Sequence, residues 1–186
     1  MEAVAASTLF FALPVPEEVR ALAGGVQGQV RRAVGLARCP AVEGLHVTLA
    51  FLGRNDLDRL PELLRVASAA AAGVAGFTLR ISGVGGFPRP GRARILWLGF
   101  APQPALGALA ERLRGALEAA GVAFDPKPFQ PHLTLARFRE PVDLGQIPVP
   151  ELAPVAFEVA GFGLWQSVPT PQGSRYRPLG TVALCG

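Results

Sequence analysis

The sequence predicts an α+β fold. Two lobes related by a pseudo-twofold axis, each a small, mainly antiparallel sheet with helices on its outer face, should flank a central cleft. Three observations predict it. The stretch Gly44-Leu45-His46-Val47-Thr48-Leu49-Ala50-Phe51 returns as Gln130-Pro131-His132-Leu133-Thr134-Leu135-Ala136-Arg137, the second histidine 86 positions after the first, and these are the two histidines of the chain. An apolar run closed by proline and followed by a helical pattern also occurs twice, as Leu9-Phe10-Phe11-Ala12-Leu13-Pro14 and as Leu96-Trp97-Leu98-Gly99-Phe100-Ala101-Pro102, at nearly the same displacement. Between these repeats, apolar residues recur with period 2 in some segments and with period 3.6 in others, so strands and helices alternate.

In chain order, the apolar residues 8–13 read as a buried strand ended by Pro14. Pro16, Glu17 and Glu18 make a helix start, since proline fits the first turn and carboxylates favour its exposed N–H groups. Val19, Leu22, Ala23, Val26, Val30 and Val34 continue that helix, with a loose middle expected at Gly24-Gly25. The first motif strand spans residues 45–52 and is closed by Gly53. Asn55, Asp56 or Asp58 caps a helix with the stripe Leu60, Leu63, Leu64, Ala67 and Ala71, ended by residues 73–76. Residues 77–81 and 95–100 alternate as strands, separated by turn glycines at 83–86 and a basic loop at 87–92. Leu106, Leu109, Leu113, Leu117 and Ala120 form a helical stripe stopped by Gly121. Pro126, Pro128 and Pro131 lead to the second motif strand, and residues 155–159 and 176–184 supply the last strands, with a turn near Pro171-Gln172-Gly173.

At 186 residues, half of them hydrophobic, the chain suits one bilobal domain over residues 1–186 with a real core. Its 22 glycines and 18 prolines fall between periodic segments and read as turns. Net charge is +4, and of 18 basic residues only Lys127 is lysine. An arginine-rich surface suits anionic partners, although a GC-rich genome produces the same bias. Cys39 and Cys185 make no metal-binding or disulfide spacing, so two free thiols are expected. Met1 to Thr8 lacks the basic start of a signal peptide, and no apolar run is long enough to cross a membrane. A soluble cytoplasmic protein with no obligate protein partner is expected.

Val, Leu, Thr and Phe favour extended backbone, and an extended chain sends alternate side chains to opposite faces. His46 and Thr48 therefore share one face, as do His132 and Thr134, with Val47, Leu49, Leu133 and Leu135 packed on the other. Imidazole gives or takes a proton near neutrality, and a threonine hydroxyl donates to an oxyanion. Two such pairs facing each other clamp a phosphate. A lone strand histidine is ordinarily a structural residue; duplication of the whole pattern, holding both histidines, turns the reading toward function.

Two H-x-T-x motifs, His46 to Leu49 and His132 to Leu135, half a chain apart, resemble the 2H phosphoesterase superfamily. Within it the run Leu9 to Pro14, the run Leu45 to Gly53, Gly85-Gly86-Phe87-Pro88-Arg89 and the run Pro131 to Arg137 resemble the bacterial and archaeal RNA 2',3'-cyclic phosphodiesterases, historically called 2'-5' RNA ligase. The resemblance implies hydrolysis of RNA 2',3'-cyclic phosphate ends to 2'-phosphomonoesters, with 2'-5' ligation as the reverse activity and tRNA halves among the partners. It also implies His46 as proton donor and His132 as proton acceptor. No cofactor and no metal are implied, and the motifs hold no carboxylate or cysteine to complete a catalytic zinc site. Residues 83–86 match neither a P-loop nor a dinucleotide fingerprint.

Alternatives from other classes are a non-catalytic module that binds RNA ends, and a related phosphoesterase acting on another cyclic phosphate or on a 2'-5' linked nucleotide. Turnover separates the first from an enzyme. Substrate-binding candidates are Arg137, Arg89 and Tyr176, with Arg92 and Arg175 as further rim arginines and Phe51, Phe129 and Trp165 as stacking residues. Strand parity puts Arg137 on the face of Leu133 and Leu135, where an unpaired guanidinium is costly. Either the strand ends or bulges near Ala136 and frees Arg137 toward the cleft, or Arg137 pairs elsewhere. Where such proteins often carry an aromatic before the first motif, this chain has Arg38-Cys39-Pro40, a departure that bears on base recognition.

Overall fold

A computed structural model describes residues 7–149, 151–171 and 173–186. The start of the chain read for a signal peptide (Met1 to Ala6), and Gln172 of the expected turn, lie outside the described residues. The elements are β1 (Ser7–Pro14), α1 (Glu17–Ala33), β2 (His46–Asn55), α2 (Leu60–Ala71), β3 (Phe77–Phe87), β4 (Ala93–Phe100), α3 (Pro104–Ala119), β5 (His132–Val142), β6 (Ala156–Val159), β7 (Gly161–Thr170) and β8 (Gly173–Ala183). The strands lie in the order β6-β3-β4-β5-β2-β1-β7-β8, with neighbours antiparallel. At the centre, the motif strands β2 and β5 pair through the single register position Val47↔Leu133. The curled sheet is thus two four-stranded halves hinged on the two motif strands, which is the expected pair of small sheets.

The outer face is closed by helices. α1 lies against β5 and α3 against β2, so each helix covers the motif strand of the opposite half. Val19, Ala23, Val26 and Val30 of α1 and Leu106, Leu109, Leu113 and Leu117 of α3 are buried against Val47, Leu49, Leu133 and Leu135. This burial explains why α1 runs unbroken through Gly24-Gly25, against the loose middle expected. Two glycines cost about 2 kcal/mol relative to alanine, whereas each buried valine contributes about 1.5–3 kcal/mol. α1 starts as expected, with Pro16 extended before Glu17 and Glu18, and Asp56 is the residue that caps the turn leading to α2.

Other departures have equally local causes. Gly53 does not close β2: it sits at φ +67° in a bulge, opposite Leu9, and the strand continues to Asn55. Residues 83–86 are not a turn but part of β3, paired with β4 from Leu96 to Gly99. A Cβ at Gly85 would lie inside the Trp97 indole, and one at Gly99 would come within 2.8 Å of it, so these glycines make room for an aromatic side chain. β7 went unpredicted because Gly161, Gly163 and Pro169 interrupt its apolar pattern. β8 begins earlier than expected and carries Pro178, which an edge strand tolerates.

Candidate active site

The two motif strands bury the same pattern. From the histidine onward, each reads half-buried, buried, half-buried, buried, buried, exposed, buried, so His46 and Thr48 face one side together with His132 and Thr134. All four line one cleft of about 460 Å³. Each imidazole is held in the same way: His46 Nδ1 lies 2.7 Å from the carbonyl of Gly44, and His132 Nδ1 lies 2.7 Å from the carbonyl of Gln130. A carbonyl oxygen only accepts, so Nδ1 carries the hydrogen and Nε2 is left for the cleft. Gly44 has a further reason to be glycine, because a Cβ there would stand 2.9 Å from the Tyr176 ring. Thr48 and Thr134 make no side-chain hydrogen bond to another described residue, which leaves both hydroxyls for a ligand.

The doubled buried residue in each pattern is a bulge. Phe11 pairs with Ala50 and Ala12 with Thr48, leaving Leu49 extra; Leu96 pairs with Ala136 and Trp97 with Thr134, leaving Leu135 extra. An extra residue reverses the alternation that follows. Arg137 is thereby turned to the side of His132 and Thr134 and lines the cleft, the first of the two alternatives its parity left open. The segment before each motif then crosses to the other half. Arg38 exchanges two backbone hydrogen bonds with Arg137, at 2.9 and 2.8 Å, and Asp125 N–H donates to Phe51 O at 2.8 Å.

A buried glutamine fastens this crossing. Gln27 in α1 is 1% exposed and donates through Nε2 to the carbonyls of Pro40 (2.9 Å) and of the bulged Leu135 (3.1 Å). At the corresponding place in α3, Arg114 donates to the carbonyls of Asp125 (2.8 Å) and Lys127 (2.7 Å) and covers the Phe124 ring. Sequence reasoning missed Gln27 because a polar residue in a helix reads as solvent-facing. The signal was there in its position, one residue after Val26 and three before Val30 on the apolar stripe.

The walls of the two half-sites differ. His46 stacks on Phe10 at 4.6 Å, meets Tyr176 edge-on at 4.7 Å and lies 6.3 Å from Trp165. His132 has one aromatic neighbour, Phe87, edge-on at 5.0 Å. Burial lowers the pKa of both imidazoles, partly offset by their backbone carbonyls, and the charge of Arg137 lowers both further. His46 also feels the charge of His132. No carboxylate lines the cleft to favour the protonated forms.

Of the other residues singled out from sequence, Tyr176 and Arg175 line the cleft, joined by Arg38, which had been read as a departure. Trp165 stands behind His46. Arg89 and Arg92 are exposed on the turn between β3 and β4 and are not among the residues lining the cleft; Phe51 is 43% exposed outside it, and Phe129 packs against the core. Among the described residues, no group of three or more His, Cys, Asp or Glu side chains is placed to hold a metal ion, and no helix is long and apolar enough to cross a membrane.

Comparison with known proteins gives a consistent result. The sequence profile of the 2'-5' RNA ligase superfamily matches residues 10–169. The RNA 2',3'-cyclic phosphodiesterase of Thermus thermophilus is 36% identical, over 96% of this chain and 90% of that protein. The RNA 2',3'-cyclic phosphodiesterase of Escherichia coli is 32% identical, over 95% and 96%. The crystal structure of Escherichia coli LigT complexed with 3'-AMP superposes with a TM-score of 0.75 at 28% identity, covering 98% of this chain and all of that one.

Proposed function

Because the chain belongs to the 2'-5' RNA ligase superfamily, we propose that it is an RNA 2',3'-cyclic phosphodiesterase, opening cyclic phosphate ends to 2'-phosphomonoesters by metal-independent catalysis with two histidines. One observation carries the reading: two imidazoles, each tied through Nδ1 to a backbone carbonyl at 2.7 Å, present Nε2 to one cleft beside paired threonine hydroxyls.

Neutral His132 takes a proton from water as its oxygen bonds to phosphorus. The bond from phosphorus to the 3' oxygen breaks on the opposite side, and protonated His46 gives its Nε2 proton to that oxygen. The product keeps the phosphate on the 2' oxygen, and the histidines have exchanged charge states, to be reset through solvent. Charge gathering on the non-bridging oxygens is met by Thr48, Thr134 and Arg137. Tyr176, edge-on to His46, closes the wall on the side of the departing 3' oxygen. A 5'-hydroxyl in place of water yields a 2'-5' phosphodiester, which makes ligation of RNA ends such as tRNA halves an accessible second activity. Unpaired Cys39 and Cys185 fit a reducing cytoplasm.

The test is incubation with EDTA and an RNA ending in a 2',3'-cyclic phosphate, followed by identification of the monoester. Undiminished turnover to the 2'-phosphate is expected. Loss of turnover under chelation with recovery on adding zinc or manganese would overturn the two-histidine mechanism, and tight binding without turnover would make the protein an RNA-end binding module.

A further inference from the structure

The cleft holds more positive charge than one cyclic phosphate requires. Arg38, Arg137 and Arg175 line it beside the imidazoles, with no aspartate or glutamate among the lining residues. None of the three guanidiniums makes an ion pair or a side-chain hydrogen bond with another described residue. Several arginines elsewhere do find partners: Arg20 and Arg59 meet Glu17 and Glu62, and Arg112 and Arg114 cap backbone carbonyls. A 2',3'-cyclic phosphate carries a single negative charge, which Arg137 and one protonated imidazole already more than offset. Two further cations gathered in the same cleft repel each other and the rest of the site, a penalty that additional anions remove.

Their placement is built into the backbone. The Arg38–Arg137 hydrogen bonds, at 2.9 and 2.8 Å, fix Arg38 beside the strand of His132. Arg175 enters from β8, where it precedes Tyr176, whose ring touches His46. One free guanidinium therefore stands on each side of the reacting centre. A guanidinium donates two parallel hydrogen bonds to a phosphodiester and carries no base information.

We propose that Arg38 and Arg175 form a subsite for the internucleotide phosphates that precede the cyclic end, so that the protein selects oligonucleotide ends over mononucleotide cyclic phosphates without regard to sequence. The inference rests on the phosphodiesterase reading, and binding of reaction products tests it separately. A 2'-phosphorylated RNA trinucleotide and 2'-AMP are titrated by calorimetry into the wild type and into Arg38→Ala and Arg175→Ala, both exposed positions. The trinucleotide should bind the wild type at least about tenfold more tightly than 2'-AMP. Each variant should lose about threefold or more of that advantage, and its salt slope for the trinucleotide should flatten by about 0.7 for each phosphate contact removed. Equal affinities for the two ligands in the wild type, or an advantage and slope untouched in both variants, would overturn the subsite. Turnover of the trinucleotide cyclic phosphate by the same preparations reads the chemistry on its own: length-dependent binding with no turnover would uphold the subsite and fault the hydrolytic reading.

Discussion

The two half-sites share a backbone and differ in their walls. Both motif strands place the histidine and threonine on the cleft face, bulge one residue after the threonine and receive the crossing segment of the other half. Around this duplicated frame, His46 is enclosed by Phe10, Tyr176 and Trp165, whereas His132 has Phe87 and the open, arginine-bearing side of Arg38 and Arg137. Duplication sets where the reacting groups stand. Divergence of the surrounding strands sets what each group does, which is how a symmetric pair of imidazoles can serve an asymmetric displacement.

The sharpest way to break the comparison is to remove each histidine in turn. His46→Ala and His132→Ala should each lower kcat/KM by about 10²- to 10⁴-fold. A substrate whose 3' bridging oxygen is replaced by sulfur should part them, because a thiolate leaves without protonation. His46→Ala should then recover most of its lost rate and His132→Ala should not; the opposite pattern would reverse the proposed roles.

A smaller effect probes the feature the halves share. Thr48→Val and Thr134→Val keep the branched shape and remove one donor each, so turnover should fall by about ten- to a thousand-fold with thermal unfolding little changed. Similar losses in both would show that the frame, not the walls, positions the phosphate. Unchanged rates in both variants would remove the threonines from the site.

What was legible in the sequence follows the same division. His46, Thr48, His132 and Thr134 could be read because period-2 alternation and a repeated motif are local properties. Arg137 could not be settled, since the bulge at Leu135 arises from the register of β5 against β4 and from Gln27 reaching across from α1. Residues 83–86 looked like a turn because glycine is read as backbone freedom, while here Gly85 and Gly99 accommodate Trp97 from the next strand. Arg38 looked like the loss of an aromatic until its pairing with Arg137 brought it into the cleft. In each case the missing information was a contact between segments far apart in the chain.

The finest difference between the halves is the order in which they titrate. Burial depresses both imidazoles below the ordinary histidine value, and their mutual repulsion opposes charging both; because His46 is the more enclosed ring, the first proton taken up as pH falls should go to His132. The titratable and charged groups that line the cleft with His46 are Tyr176 and Arg175 from β8, His132 and Arg137 from β5, and Arg38 and Cys39 from the segment before β2, with no carboxylate among the lining residues. The form proposed to react, with His46 protonated and His132 neutral, is then the minor member of the singly protonated pair in the empty cleft, and an anionic substrate raises both affinities for the proton. Stability has the matching sign: with native pKa values lowered, the unfolded chain binds more protons, so stability should decline as pH falls from the ordinary histidine value through the lowered ones. The chain has two histidines, so proton NMR of the Cε1–H resonances should show two titrations, assigned by the one that disappears in His46→Ala. His132 should titrate at the higher pH, and His132→Ala should move the His46 titration upward. If His46 takes the first proton instead, its aromatic enclosure stabilises the cation more than burial opposes it, and the proton donor would already be loaded before the substrate arrives.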